Sequence, residues 1–383
     1  MTKHILHVVN IYFALPYFIG EQFLHFKDKG YRLHVICSPS PYLDSYAKKM
    51  QFDYAEIDII RAIKPIKDLK VLFFICRYIK KNKIYIVVGH TPKGAFLSML
   101  SAWLMRVPKR IYFRHGLVYE TSKGFMKTLL IYIDRLTALC ATKVVCVSPS
   151  LYRRSLEDDL NKESKQMILG RGTCGGIDTK RKFNPEEINL AEIINLRKCL
   201  GISEGSTVIG YCGRLVRDKG IIDLINAFEI VRHKFNERKI KLLLVGMFEE
   251  RDALPDEIKS KIIADNDIIC TGFINESIKN YYALMDIYIL PSYREGFGMS
   301  VLEASSMQIP VLTTKVTGCI DSIIEDSTGK YVENNSVSIA DGISFYLINS
   351  QTAIYHGKNG REFVVRYFDQ EILWPEIEKL YKN

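Results

Sequence analysis

A loop of glycine and basic side chains follows an apolar run in the second half of the chain. It spans residues 213–220 (GRLVRDKG), and a segment with helical periodicity begins directly after it. Arg214 can hold phosphate oxygens in a fork, Lys219 can add a point charge, and the amides at the start of the helix can donate further hydrogen bonds. The chemistry that these groups predict is the binding of a diphosphate, with Gly213 as part of the site. The alternative is an ordinary charged loop between a strand and a helix.

A second loop carries two glycines and two carboxylates. It lies within residues 294–304 (REGFGMSVLEA), after an apolar run and a Pro-Ser turn. Gly296 and Gly298 allow backbone amides to approach a ligand closely at the start of a helix. Glu295 is in the loop and Glu303 is about one turn into the helix, separated by seven residues. Such a pair can bind sugar hydroxyls at two different places.

Two weaker candidates lie in the first half of the chain. His115 ends a predicted strand just before a glycine, where it would face a cleft between two domains. A lone histidine is more often a structural residue than a catalytic one, although this position favours function. The loop after the first strand, with Gly20 at the start of a helix, could line an acceptor site. We place Arg114 and His115 on the same acceptor side.

Several motifs of other enzyme classes are missing from the sequence. No G-x-G-x-x-G follows the first strand, which disfavours a dinucleotide-dependent oxidoreductase, and no P-loop is present. The one Asp-x-Asp pattern, Asp265 and Asp267, precedes a short strand and is interpreted as a polar turn. We therefore expect no bound metal and no cofactor.

Short apolar runs alternate with longer amphipathic segments along the first half of the chain. The runs predict buried strands at residues 5–9, 33–36, 84–88, 111–113 and 144–147. The longer segments predict helices, for example at 21–29 and 68–81. This alternation is typical of βαβ units and a mostly parallel sheet.

The same pattern restarts after a glycine-rich, charged stretch at residues 170–185. Strands are predicted at 208–212, 242–245, 268–270, 287–290 and 310–313, a helix from about Gly220, and two terminal helices at about 353–368 and 371–381. The predicted fold is α/β, with two Rossmann-like, doubly wound domains. Their predicted bounds are 1–175 with a returning helix at about 366–383, and 176–365. Ligands of such sheets bind beyond the carboxyl ends of the strands.

Charge is unevenly spread along the 383 residues. The net charge is +10, yet residues 1–180 hold 29 Lys and Arg against 14 Asp and Glu. A basic half could serve nucleic acid, an anionic membrane surface or a phosphorylated ligand, or be a solvated face without a partner. Residues 70–83 and 123–135 combine bulky apolar side chains with cations. We expect them to contact a membrane peripherally unless both apolar faces pack on the sheet.

The cysteine pattern and the lengths of the apolar stretches indicate the cellular compartment in which we expect the protein. The nine cysteines form no C-x-x-C pair and several lie in strand-like runs, which indicates buried thiols in a reducing environment. Residues 4–9 are too short for an export signal, and the longest uncharged apolar stretch falls short of the roughly 20 residues that span a bilayer. We expect a cytoplasmic protein that is soluble or peripheral on the inner face of the plasma membrane.

The chain resembles family 4 retaining glycosyltransferases of the GT-B fold, in the branch that builds bacterial surface polysaccharides and lipid-linked oligosaccharides. The resemblance covers nearly the whole chain, and the paired glutamates with the GR…K loop are its specific part. It implies that the two domains face each other across the cleft that holds the active site, and that the C-terminal helix packs back on the first domain. Many relatives carry a double glycine in the first loop, where this chain has only Gly20.

The resemblance also implies roles for single residues. Arg214 and Lys219 would bind the donor diphosphate, Glu303 the ribose hydroxyls, and Glu295 the donor sugar. Amides of Phe297, Gly298 and Met299 would touch phosphate or sugar, His115 would lie beside the reacting sugar, and the backbone of Phe273 and Ile274 near the base.

The expected function is transfer of a hexose or N-acetylhexosamine, with retention and without a metal, from a nucleotide sugar. UDP is the expected nucleotide, and the acceptor is a glycan or an undecaprenyl-diphosphate-linked sugar. One alternative is a nucleotide-sugar epimerase on the same fold, which would need cleft carboxylates and no acceptor. The other is a non-catalytic module that binds anionic surfaces. It leaves the phosphate loop and the paired glutamates unexplained, and we expect no nucleic-acid partner.

Overall fold

The protein, described by a computed structural model over residues 3–274 and 277–382, forms two compact α/β units. Unit 1 comprises Met1–Gly176 with Glu371–Asn383, and unit 2 comprises Ile177–Gln370. The change from one unit to the other falls in the glycine-rich stretch at 170–185. No helix in the described part of the chain is long and apolar enough to cross a membrane.

Unit 1 is built on a seven-stranded, parallel sheet. Its strands are β1 (His4–Val8), β2 (Arg32–Cys37), β3 (Asp53–Glu56), β4 (Ile86–Gly89), β5 (Lys109–Arg114), β6 (Lys143–Cys146) and β7 (Gln166–Met167). Their order across the sheet is 3-2-1-4-5-6-7. The central strands are almost wholly buried because helices cover both faces, which is why they are continuous apolar runs in the sequence.

The helices of unit 1 follow its strands, and the last helix of the chain joins them. They are α1 (Ala14–Phe18), α2 (Gln22–Asp28), α3 (Leu43–Met50), α4 (Pro65–Lys81), α5 (Pro92–Leu104), α6 (Gly124–Cys140), α7 (Pro149–Glu157) and, at the end of the chain, α15 (Gln370–Lys382). The indole Nε1 of Trp374 donates to the Gly175 carbonyl over 2.9 Å, and the ring of Tyr381 packs on Phe26. These contacts fix α15 to unit 1.

Unit 2 repeats the arrangement with six parallel strands. They are β8 (Thr207–Cys212), β9 (Ile240–Val245), β10 (Ile268–Cys270), β11 (Ile287–Leu290), β12 (Val311–Thr314) and β13 (Gly329–Val332), in the order 10-9-8-11-12-13. The helices are α8 (Leu190–Cys199), α9 (Ile221–Lys234), α10 (Asp256–Ala264), α11 (Ile278–Tyr282), α12 (Met299–Ser306), α13 (Ser336–Ile348) and α14 (Ser350–Tyr367).

Each sheet has one point where the strand order reverses. It lies between β1 and β4 in unit 1 and between β8 and β11 in unit 2. Connections leave in opposite directions there, so the loops at the carboxyl ends of the two strands open a crevice that binds ligands in folds of this kind. Both sequence loops with phosphate or sugar chemistry start at the unit 2 reversal point.

The predicted fold class is confirmed, but three strands escape prediction from the sequence. They are β3, β7 and β13, and each lies at the edge of its sheet. An edge strand has one neighbour and is partly exposed, so it lacks the continuous apolar run that marks a central strand. The sequence DYAE of β3, with only its alanine partly buried, illustrates this.

Candidate functional site

The loops after β8 and β11 touch in unit 2, and a glycine makes the contact possible. Gly220 ends the short helical turn Arg217–Lys219 and starts α9 with φ at +70°. A Cβ at this position would lie 2.1 Å from the carbonyl oxygen of Pro291. Any other residue would therefore push the two loops apart as well as strain the backbone.

Lys219 and Glu295, both singled out from the sequence, meet across these loops. Lys219 Nζ donates to Glu295 Oε1 over 2.5 Å and to the carbonyl of Arg294 over 3.3 Å. Ser292 Oγ donates to the same carboxylate oxygen over 2.9 Å. Both partners of the ion pair are largely buried, so the contact holds an ammonium and a carboxylate at one spot of the crevice.

Arg214 lies nearby with its guanidinium partly exposed. Its Nη1 donates to Glu249 Oε2 over 3.0 Å, and its backbone carbonyl accepts from the Tyr211 hydroxyl. Asp218 in the same loop accepts from Arg294 Nη2 over 2.9 Å. Burial alone would raise the pKa of Asp218, but the neighbouring Lys219, Arg294 and Arg214 outweigh it and lower that pKa. The loop is thus a cluster of cations with fixed carboxylate partners.

The glycine loop before α12 presents backbone and not side chains. The side chains of Phe297 and Met299 are buried, so these residues can offer only their amides to a ligand. Gly298 is the N-cap of α12 with φ at +78°, a conformation that favours glycine. The first amides of α12 lack intrahelical partners and carry the positive end of the helix dipole, which favours an anion.

Glu303 faces the interior of unit 2 from α12. Its Oε2 accepts a hydrogen bond from the Tyr282 hydroxyl over 2.7 Å, and the residue keeps some exposed surface. Burial raises the pKa of Glu303, and the nearby Lys182 and the Tyr282 hydroxyl offset only part of that rise. An ionised carboxylate here gains from a ligand that donates hydrogen bonds to it.

Phe273 and Ile274 line an open pocket of about 470 Å³ in unit 2. Other walls come from α8, including Glu192 and Asn195, and from α11 through Asn280. Phe273 keeps two fifths of its surface exposed at the wall of this pocket. The pocket is large enough for a planar ring system.

In unit 1, His115 lies at the carboxyl end of β5 in a column of aromatic rings. The Phe18 ring stacks on its imidazole with 3.7 Å between ring centroids. His90 Nδ1 lies 2.9 Å from His115 Nε2, and burial lowers the pKa of His115 to about 3, so the imidazole is neutral at pH 7. Gly20, with φ at +56°, lies in the turn between α1 and α2, two residues after Phe18.

Arg114 does not present its side chain to a ligand. It is wholly buried, and its guanidinium donates to Asp134 over 2.6 Å and to Asn161 over 2.9 Å. Gln166 on β7 accepts a further bond. Arg114 therefore joins α6 and β7 to β5, and the burial does not support its predicted place on the acceptor side.

The acidic pair at Asp265 and Asp267 is held by cations of unit 2. Arg232 donates to both carboxylates, and Lys241 Nζ donates to Asp267 over 2.8 Å. Across residues 3–274 and 277–382, no three His, Cys, Asp or Glu side chains are grouped in a way that could hold a metal ion.

Several residues of the two crevices are not predicted from the sequence. His90 and Phe18 flank His115, and Glu249 and Ser292 bind the predicted cation and carboxylate. His90 had a usable signal, because it directly follows β4 as His115 follows β5, and the two strands are neighbours in a parallel sheet. No such signal marks Glu249 in the sequence, because acidic residues are common in loops.

Comparison with known proteins gives two family matches, one in each half of the chain. Residues 192–363 match the family described as "Glycosyl transferases group 1", and residues 6–148 match "Glycosyl transferase 4-like". The chain is 31% identical to the capsular polysaccharide biosynthesis glycosyltransferase CapM of Staphylococcus aureus, over 100% of this chain and 97% of that protein.

Two further similarities cover nearly the whole chain. The UDP-Gal:alpha-D-GlcNAc-diphosphoundecaprenol alpha-1,3-galactosyltransferase of Escherichia coli is 23% identical over 94% of this chain and 91% of that protein. The crystal structure of Anabaena Alr3699/HepE in complex with UDP-glucose superimposes with a TM-score of 0.80 at 18% identity, covering 99% of this chain and 100% of that one. At that identity, the likeness shows the fold.

Proposed function

Because the chain belongs to the group 1 glycosyltransferases and is an enzyme that transfers a sugar, we propose that it moves a hexose or N-acetylhexosamine from a UDP-sugar to a surface-polysaccharide precursor. The reaction retains the anomeric configuration and needs no metal. The observation that carries the proposal is the contact of Lys219 with Glu295 at the strand-order reversal of unit 2. It brings together a group for phosphate and a group for sugar hydroxyls.

The donor diphosphate binds between Arg214, Lys219 and the first amides of α12. Negative charge grows on the nucleoside diphosphate as the bond to the sugar breaks, and donors fixed in advance stabilise that charge most. Two cations and a helix N-terminus supply what a divalent ion would otherwise supply. The ion pairs with Glu249 and Glu295 hold both cations in position before the donor arrives.

The nucleoside and the sugar take the groups on either side of this clamp. Glu303 accepts hydrogen bonds from the ribose hydroxyls, which replace solvation lost on burial. The base lies against the backbone of Phe273 and Ile274 in the open pocket of unit 2. Glu295 accepts from donor sugar hydroxyls while Lys219 and Ser292, which both donate to its Oε1, keep the carboxylate oriented.

His115 is the unit 1 residue that we assign to the reacting sugar. Its imidazole is neutral, so it exchanges a hydrogen bond with a hydroxyl and does not act as a cation. Retention is part of the proposal because the spacing of Glu295 and Glu303 resembles that of family 4 retaining glycosyltransferases.

The acceptor is a glycan, free or linked to undecaprenyl diphosphate, and we place the enzyme in the cytoplasm against an anionic membrane. The names of the S. aureus and E. coli relatives, which refer to capsule and to a diphosphoundecaprenol substrate, support this. Unit 1 adds exposed apolar side chains on α4 and on α6, two helices that both pack on α5. They include Ile66, Leu69, Phe73, Phe125, Tyr132 and Leu139.

The two segments singled out for membrane contact, residues 70–83 and 123–135, differ in how far their apolar side chains are buried. In residues 70–83, Val71, Leu72, Ile75 and Ile79 pack inward as a βαβ helix requires, whereas Phe73 is exposed. Phe125 keeps 80% of its surface exposed at the start of α6. Exposed lysines flank both, including Lys70 and Lys127, so the two segments combine the apolar and cationic groups that favour an anionic interface.

A panel of nucleotide sugars tests the proposal. Purified protein incubated with each donor alone should slowly release UDP from at least one UDP-sugar, because water substitutes poorly for the acceptor. Failure to release nucleotide from any donor would contradict the proposal. Conversion of a donor into its epimer without release would assign the site to an epimerase instead.

A further inference from the structure

Three histidines of unit 1 form a continuous chain of hydrogen-bonded imidazoles. His7 Nδ1 lies 3.1 Å from His90 Nε2, and His90 Nδ1 lies 2.9 Å from His115 Nε2. The three residues come from β1, from the end of β4 and from the end of β5, which are adjacent strands. The chain therefore crosses the point at which the strand order of unit 1 reverses, where a ligand crevice is expected.

The surroundings keep all three imidazoles neutral and in place. His7 and His90 are buried, and His115 is partly exposed. Burial lowers the pKa of His7 and of His115 to about 3. Burial, together with the two neighbouring imidazoles, lowers the pKa of His90 well below its ordinary value. The His90 ring also stacks on Phe113.

Neutral imidazoles in such a chain have only two consistent proton arrangements. Each ring carries one N–H and one lone pair, so the donor of one bond fixes the donor of the next. Either every ring is protonated on Nδ1, and His7 donates toward His115, or every ring is protonated on Nε2, and His115 donates toward His7. The Nε2–H form is the more stable tautomer of a neutral histidine in water, and only the second arrangement uses it three times.

We propose that His90, supported by His7, is a positioning residue that holds His115 as its Nε2–H tautomer and leaves His115 Nδ1 as a hydrogen-bond acceptor. This inference rests on the proposed function, in which His115 lies beside the reacting sugar. A lone pair at Nδ1 accepts from a sugar hydroxyl and rejects a carbonyl or phosphate oxygen at that position. The imidazole chain thereby sets which ligand group His115 can hold.

A second pair of imidazoles in the same sheet serves as a matched control. His4 Nδ1 lies 3.0 Å from His34 Nε2, and the two rings stack as His7 and His90 do. His34 Nδ1 lies 3.1 Å from the Tyr78 hydroxyl, so this pair does not continue to a third imidazole. Replacing His34 therefore removes a bond of the same kind and length without touching the chain that ends at His115.

The test follows ring nitrogens by NMR in the full-length protein, labelled with 15N-histidine, at neutral pH. We expect His7, His90 and His115 to be neutral Nε2–H tautomers. His90→Phe keeps an aromatic ring on Phe113 but removes both bonds, so His115 should become a mixture of tautomers. His90→Asn places an amide oxygen near the former Nδ1 and should restore Nε2–H on His115. His34→Phe should leave the His115 signals unchanged.

Activity gives an independent measurement. His90→Phe should lower kcat/KM for the preferred donor about tenfold, the loss of one oriented hydrogen bond, with His90→Asn recovering most of it. An Nδ1–H tautomer on His115 in the wild type, or an unchanged His115 in folded His90→Phe, would overturn the inference. Absence of sugar transfer with the expected NMR pattern would instead refute the proposed function and leave the imidazole chain standing.

Discussion

Replacing Lys219 by methionine removes one charge from the proposed diphosphate clamp and keeps an unbranched side chain that is one atom shorter. In the structure, Lys219 Nζ is shared between Glu295 Oε1 and the carbonyl of Arg294. A donor aimed at developing negative charge contributes about 2.7–4 kcal/mol, or a factor of 10² to 10³ in kcat. We therefore expect Lys219→Met to lower sugar transfer by at least ~100-fold.

The same substitution also costs stability, and an almost identical ion pair separates the two effects. Lys93 and Asp68 in unit 1 are 2.5 Å apart, with 11% and 15% of their side chains exposed. Lys219 and Glu295 are likewise 2.5 Å apart, with 12% and 16% of their side chains exposed. Loss of either lysine leaves a largely buried carboxylate without its cation, which costs about 1–3 kcal/mol. Lys93→Met should thus match Lys219→Met in thermal unfolding and retain most of the transfer activity.

Continuous measurement of UDP release at saturating donor, with melting curves of both variants, provides the comparison. Transfer by Lys219→Met within tenfold of the wild type would refute the role of this lysine at the leaving group. An equal loss of activity in Lys93→Met would show that destabilisation, and not lost charge, explains the effect.

Four further predictions concern the proposed donor site and the exposed side chains of unit 1. Glu303→Gln should weaken UDP binding about tenfold, the loss of a charged acceptor. Burial raises the pKa of Glu303 in the folded protein, so the wild type loses stability as pH rises from the ordinary pKa of a glutamate to this higher pKa. The melting temperature of Glu303→Gln relative to the wild type should therefore increase over that range of pH and level off above it; a difference that does not change with pH would contradict this. Transfer should continue in excess EDTA; loss that manganese or magnesium restores would refute metal independence. Phe125→Glu should reduce co-sedimentation with anionic vesicles ~10-fold or more, whereas Ile263→Glu, which alters a similarly exposed side chain of unit 2, should not.

The sequence predicts the local structure of the two loops of unit 2 well because each loop is one contiguous segment. A strand, a glycine turn and a helix follow one another within about ten residues in each loop, so local pattern alone indicates an anion site. The doubly wound order then brings Lys219 and Glu295 together although 76 positions separate them. That meeting follows from topology, since both loops leave the carboxyl ends of adjacent parallel strands.

Side-chain partners from unmarked loops could not be predicted in this way. Glu249 contacts Arg214 from the segment after β9, and no spacing or composition distinguishes it from a solvated acidic residue. For Arg114 the sequence indicates a functional role that the orientation of the side chain does not support. Its place before His115 at the end of β5 is typical of a ligand-binding residue, yet the strand's alternation turns its side chain inward to Asp134.

The configuration of the product tests the central claim most directly. The enzyme would be given the donor that releases UDP in the panel, together with a lipid-linked or synthetic diphosphate acceptor, and the product's anomeric linkage determined by proton NMR. We expect one UDP released per sugar transferred and a new linkage with the donor's own anomeric configuration. A product of inverted configuration, or nucleotide release without any transferred sugar across all acceptors tried, would contradict a retaining transferase.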